Sequence, residues 1–183
     1  MTPYEPLDDN QEWLSQRPGA EEIHTPNENQ FILLCVLTLG LYAVWWMYKT
    51  WRFFDEREGQ NLLPALRAIL AIFFLPGLLN RILGFAQERG YTESYSPLLL
   101  YLGYIILNLT GYLPDPYFFI ALTAYLLLLP PYRAFYSALD LDPGYNLQLQ
   151  DTFNNRQWLL VALGATMWLF IIAGMLMPPD AAY

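Results

Sequence analysis

The chain falls into long uncharged blocks separated by short charged collars. The first block, 31–48, carries no charge, and at about 1.5 Å per residue a helix of that length nearly crosses a hydrocarbon core of roughly 30 Å. It leaves through an aromatic belt, Trp45, Trp46, Tyr48 and Trp51, and ends in a collar of Lys49, Arg52, Asp55, Glu56, Arg57 and Glu58. Amphipathic rings favour headgroup depth, so the belt marks where a helix leaves a bilayer. Gly40, two residues after Thr38, permits a bend or a close helix contact inside the run.

The second block is shorter. Arg67 and Arg81 bracket thirteen uncharged residues interrupted by Pro76–Gly77. That length suits a kinked interfacial or re-entrant helix better than a span. Three further blocks, 94–114, 116–132 and 157–179, are long enough to cross, with a tight turn at Pro114–Pro116 and a helix break expected at Pro130–Pro131. The pattern predicts an all-α integral membrane protein with about four transmembrane helices and one short kinked interfacial or re-entrant helix. The helical domain covers 30–179. Residues 1–29, acidic and interrupted by four prolines, read as a disordered tail. Within it Trp13 and Leu14 lie on a short candidate helix and are candidate anchors for docking a partner.

Lysine and arginine counts set the orientation. If the first block spans and the second does not, eight basic residues face the cytoplasm and only Arg17 lies outside; if both span, the split is four against five. A rival arrangement bends 31–48 into a hairpin at Gly40, so that tail and collar share a side. A faint echo links two exits: Tyr48-Lys49-Thr50-Trp51 before Gly59, and Tyr132-Arg133-Ala134-Phe135 before Gly144.

Charge and composition narrow the function. The net charge of −8 argues against phosphate-directed nucleic-acid binding. The single cysteine, Cys35, permits no internal disulfide, and the single histidine, His24, has no nearby ligand partners for a metal. The apolar blocks contain no Asp, Glu or His, and no nucleophile–base, phosphate-loop or metalloprotease motif is present. An enzyme is not expected, and neither is a cofactor. Lys49, Arg52, Arg67, Arg81 and Arg133 gather at one interface in the favoured topology. They are candidates for a lipid-headgroup site, because arginine at a bilayer boundary is normally paired or snorkelled.

One stretch carries a family resemblance. Thr38-Leu-Gly40-Leu-Tyr42-Ala-Val-Trp45-Trp46-Met-Tyr48-Lys49-Thr-Trp51 resembles the T-x-G-x-Y-x-x-[YW]-W-x-Y-K-x-W signature of small bacterial multi-pass membrane proteins classed as a domain of unknown function. Pro64-Ala-Leu-Arg67-Ala68, Leu129-Pro130-Pro131-Tyr132-Arg133-Ala134, the Asn154–Trp158 segment and the Gly164 to Trp168 helix are similar to later parts of that pattern. The likeness covers about residues 30–175. It implies a bacterial inner membrane and brings no activity or catalytic residue. The expectation is therefore a non-catalytic scaffold or accessory subunit with a protein partner or self-association. The alternative is a lipid-handling or small-solute transport protein with an anionic headgroup site at the interfacial arginines.

Overall fold

The computed structural model describes residues 20–59, 63–113, 117–150 and 152–176. They are mostly helical: β1 (Glu21–Thr25), α1 (Glu28–Leu37), α2 (Leu41–Glu58), α3 (Pro64–Ile69), α4 (Ala71–Glu88), α5 (Pro97–Leu109), α6 (Phe118–Leu122), α7 (Leu129–Leu141), β2 (Tyr145–Leu149) and α8 (Asn155–Leu176). Tight 3-10 turns extend α5 at Thr110–Tyr112 and join α6 to α7 at Thr123–Leu128.

The first apolar block is not one straight helix. Asn27 and Gln30 start α1 with a reciprocal cap, in which the Gln30 N–H donates to Asn27 Oδ1 (2.9 Å) and the Asn27 N–H donates to Gln30 Oε1 (3.1 Å). Thr38 then closes one helix and opens the next. Its hydroxyl donates to the Leu34 carbonyl (2.7 Å) and accepts the Tyr42 N–H (3.0 Å). Leu39 and Gly40 follow in the left-handed region, at φ 49° and 92°. Two such residues reverse the chain. Phe31 meets Trp46 at 5.6 Å between ring centroids, although fifteen helical residues would separate them by about 22 Å. The straight span expected across 31–48 is thereby corrected to the bent arrangement, a helical hairpin whose two open ends share a side. Glycine is required at its tip, because a Cβ on Gly40 would run into the Tyr125 phenol.

The second block forms α3 and α4, which meet at Leu70 and pack α3 against α2. Pro76 sits inside α4 and supplies no N–H for the Ile72 carbonyl. The Tyr101 hydroxyl takes that place, donating to Ile72 O at 2.7 Å, and Tyr95 donates to Leu79 O at 2.8 Å. These two bonds lay α5 antiparallel along α4. Ile69, Ile72 and Phe73 stand exposed where α3 and α4 meet.

Pro130 and Pro131 do not break the helical segment that starts at Phe118, as the sequence suggested. The preceding 3-10 turn lets them enter the first turn of α7, where a missing N–H costs nothing, and the helix runs on to Leu141. Segments Phe118–Leu141 and Gln157–Leu176 are the two helices among the described residues long and apolar enough to cross a membrane; Pro97–Tyr112 and Glu28–Leu37 are shorter. Of the four expected spans, two are met on length and composition, α5 is shorter, and 31–48 is a hairpin.

Part of the expected tail is ordered. Glu21–Thr25 pairs in parallel with Tyr145–Leu149, joining the start of the described chain to the segment before α8. Thr25 is buried and its hydroxyl lies 2.9 Å from Tyr132 Oη, which also donates to the Pro26 carbonyl. Residues 1–19, including Trp13 and Leu14, lie outside the described residues.

The core is aromatic and layered. Phe31, Trp46, Tyr132 and Tyr136 form one layer, and Phe53, Phe54, Phe85 and Phe135 form the next, with edge-on or tilted rings. Facing pairs along α2 and α7 are Gly40–Tyr125, Trp46–Tyr132, Phe53–Phe135 and Arg57–Asp142, so these helices run parallel. They are the two helices that carry the echoed exits.

Candidate functional site

Charge in the described chain collects at one end. Lys49 to Glu58 lie on α2, Arg81 and Glu88 on α4, Arg133 and Asp140 on α7, with further acids on β1 and at Asp142, whereas α5, α6 and α8 beyond Arg156 carry no charged residue. The ion pairs follow this distribution. Asp142 is the most connected acid: Arg89 Nη2 reaches it at 2.7 Å, Arg57 Nη1 at 3.5 Å, and the Gly144 N–H donates to its other oxygen at 3.0 Å. Burial pushes the Asp142 carboxyl upward, but the Gly144 N–H and the Arg89 and Arg57 guanidiniums outweigh it and hold the group below its ordinary value. Arg57, Arg89 and Asp142 lie far apart in sequence, and no spacing signalled the cluster.

The five candidate cations separate into three groups. Arg67 and Arg81 share the Trp51 indole, with guanidinium carbons 4.7 Å and 5.6 Å from its ring centre. Arg81 also binds Glu58 at 2.6 Å. Arg67 lies against Phe74 as well, at 5.3 Å, and has no carboxylate partner among the described residues. Lys49 and Arg52 line a cavity of about 480 Å³ with Glu21, Glu22 and His24, and Arg52 Nε pairs with Glu56 at 2.7 Å. Arg133 stands apart. Its guanidinium forms a two-pronged pair with Glu28, with Nε to Oε1 at 2.8 Å, beside a cavity of about 520 Å³ bounded by Thr25 and Tyr132. These five residues do not share one contact site. The hairpin and the length of α7 place Arg133 beside Glu28 rather than beside Trp51.

A further cavity, of about 370 Å³, opens between α2 and the start of α8. Tyr42, Trp45 and Lys49 face Gln157, Leu159 and Leu160 there, with His24 and Gln150 at the rim. Gln157 is buried; its amide donates to Gln150 Oε1 (3.0 Å) and to Tyr42 Oη (3.4 Å) and accepts the Asn154 N–H (2.8 Å). Sequence reading singled out Lys49 but not its neighbours. Tyr42 could have been found from its place in the Thr38-x-Gly40-x-Tyr42 run.

Among the described residues, no group of three His, Cys, Asp or Glu side chains is placed to hold a metal ion. Comparison with family models, curated proteins and solved structures finds no match.

Proposed function

We propose that this chain is a multi-pass protein of a bacterial inner membrane that acts as a non-catalytic scaffold or accessory subunit of a membrane assembly. The observation that carries the proposal is α8. It is 22 residues long, uncharged beyond Arg156, and meets the rest of the fold mainly through α1. Gly164 lets it lie directly on the Leu37–Thr38 backbone, and Trp168 Nε1 donates to Val36 O at 3.2 Å. Leu159, Leu169, Phe170 and Leu176 remain more than two-thirds exposed. A helix with that much apolar surface requires cover from lipid and from other helices.

In this reading α5, α6–α7 and α8 cross the bilayer, while the α1–α2 and α3–α4 pairs enter and return. The seven described Lys and Arg side chains then lie on one side, which the positive-inside rule makes cytoplasmic. The family resemblance of the Thr38–Trp51 segment agrees with that placement.

Arg67 favours a second reading, lipid handling. A guanidinium without a carboxylate partner, held on two aromatic rings beside the exposed Ile69 and Phe73, suits a lipid phosphate. Gentle extraction followed by native mass spectrometry separates the two. A defined larger complex is expected for an accessory subunit. A homo-oligomer retaining lipid, with retention lost in Arg67→Ala, supports lipid handling instead. A partnerless monomer without lipid contradicts both.

A further inference from the structure

We propose that the bend between α3 and α4 seats an anionic glycerophospholipid, with its phosphodiester on the Arg67 guanidinium and its acyl chains on the exposed side chains of the bend. The inference rests on the lipid-handling reading above and deepens it by naming the lipid class.

The depth of the site comes from Trp51. Arg67 and Arg81 stand fourteen positions apart, which is about 21 Å on a straight helix. Both guanidiniums nevertheless rest on the same indole, with their carbons 4.7 Å and 5.6 Å from its ring centre. Leu70 interrupts the helix between them, so the element enters and returns with both arginines beside one ring. Tryptophan favours headgroup depth, and the two guanidiniums share that depth with it.

The two arginines differ in what they hold. Arg81 is committed to Glu58 at 2.6 Å. Arg67 lies on the Trp51 and Phe74 rings, the second at 5.3 Å, and its N–H groups have no acceptor among the described residues. Arginine at a bilayer boundary is normally paired, and a phosphodiester accepts two parallel N–H bonds from one guanidinium. One uncompensated positive charge matches a lipid with one net negative charge. A zwitterionic lipid would bring an ammonium as well. Glu58, the carboxylate of this cluster, is already bound to Arg81, and the Trp51 and Phe74 rings already carry guanidiniums.

The apolar half of the lipid also has a surface. Ile69 and Phe73, on either side of the bend, are 75% and 74% exposed. The Tyr101 hydroxyl, bonded to Ile72 O at 2.7 Å, sets α5 against the same bend, and Leu98 and Leu102 beside it on α5 are open. Acyl chains leaving Arg67 would cover these four side chains, which lipid tails satisfy and water does not.

The test uses the full-length chain in mild detergent, titrated by native mass spectrometry with phosphatidylglycerol, phosphatidylcholine and diacylglycerol of the same acyl chains. Phosphatidylglycerol is expected to bind most tightly and diacylglycerol least. Arg67→Gln should weaken phosphatidylglycerol about tenfold, the scale of one hydrogen bond to a charged group, and remove the preference over phosphatidylcholine. Arg52 pairs with Glu56, and Arg52→Gln should leave binding unchanged. Ile69→Ser combined with Phe73→Ser alters two exposed positions and should weaken both phospholipids, which keeps the test open if Arg67→Gln fails to fold. Equal affinity for the two phospholipids, or unchanged affinity in either variant, overturns the site. Displacement of the lipid by millimolar inorganic phosphate makes the occupant a soluble anion and overturns it too. Lipid analysis of the chain extracted from native membranes separates the two failures. A chain carrying phospholipid without selectivity contradicts this site alone, and a chain carrying none contradicts lipid handling itself.

Discussion

Replacing Gly40 by alanine gives opposite results for a hairpin and for a straight span. In the hairpin Gly40 has φ 92°, and a left-handed conformation costs an L-residue about 1–2 kcal/mol. The added methyl would also press on Tyr125, whose phenol oxygen is the nearest atom, with Cζ at 3.1 Å. Forcing one carbon into packed surroundings costs about 1–3 kcal/mol. Gly40→Ala should therefore lose about 2–5 kcal/mol, the sum of these two effects. Were 31–48 a continuous helix, the same change would stabilise by about 1 kcal/mol, since alanine replaces glycine in a helix interior. Reversible unfolding in mixed micelles with rising SDS, followed by far-UV circular dichroism, measures the difference. Tyr125→Phe removes the nearest atom and should recover part of the loss in the double variant, leaving the backbone cost. Stability of Gly40→Ala equal to or above that of the parent refutes the hairpin.

Three further outcomes follow from particular bonds. Tyr101→Phe leaves the Ile72 carbonyl without its donor and should cost about 1–3 kcal/mol; adding Pro76→Ala restores a backbone N–H and should reverse much of that loss in the same unfolding assay. Asp142 is 14% exposed at its side chain, and its folded pKa is lowered, so its contribution is complete above the unfolded value of about 3.9 and disappears as pH falls through the folded value. Asp142→Asn should lose about 1–3 kcal/mol at pH 7 and show a flatter acid limb than the parent, read as unfolding midpoints between pH 7 and 3. Gly164→Leu drives a side chain into the Leu37–Thr38 backbone and should release α8, weakening partner retention in native mass spectrometry while the α2, α4 and α7 aromatic layer keeps its circular dichroism.

The sequence made the helices legible through their uncharged blocks and the belt at Trp45–Trp51, because burial in an apolar medium demands runs without charge. It also predicted a short interrupted element at 64–86, where the helix breaks at Leu70 and Pro76 lies inside α4. The hairpin was legible only as an alternative. Gly40 allowed it, but the deciding contacts, the double cap by Thr38 and the seat against Tyr125, join residues whose pairing no local pattern expresses. Length counting alone favoured a straight helix. The β1–β2 pair was hidden because two five-residue strands more than a hundred residues apart carry no periodicity of their own. The basic residues were singled out, but the capture of Arg133 by Glu28 was not. Glu28 captures Arg133, and Glu58 captures Arg81, through tertiary geometry. The cavity at Tyr42 and Gln157 joins α2 to α8, and its polar residues look unremarkable one by one.

The α1–α2 hairpin returns the chain to the side from which α1 enters. Single cysteines placed at His24 and at Arg52, in a Cys35→Ala background, flank the first apolar block, and both parent residues are exposed. Labelling with a membrane-impermeant maleimide in right-side-out and inverted vesicles reads the side of each. The hairpin predicts that both cysteines label from the same face, the inverted vesicles exposing them together. Labelling from opposite faces would contradict it and restore a span across 31–48.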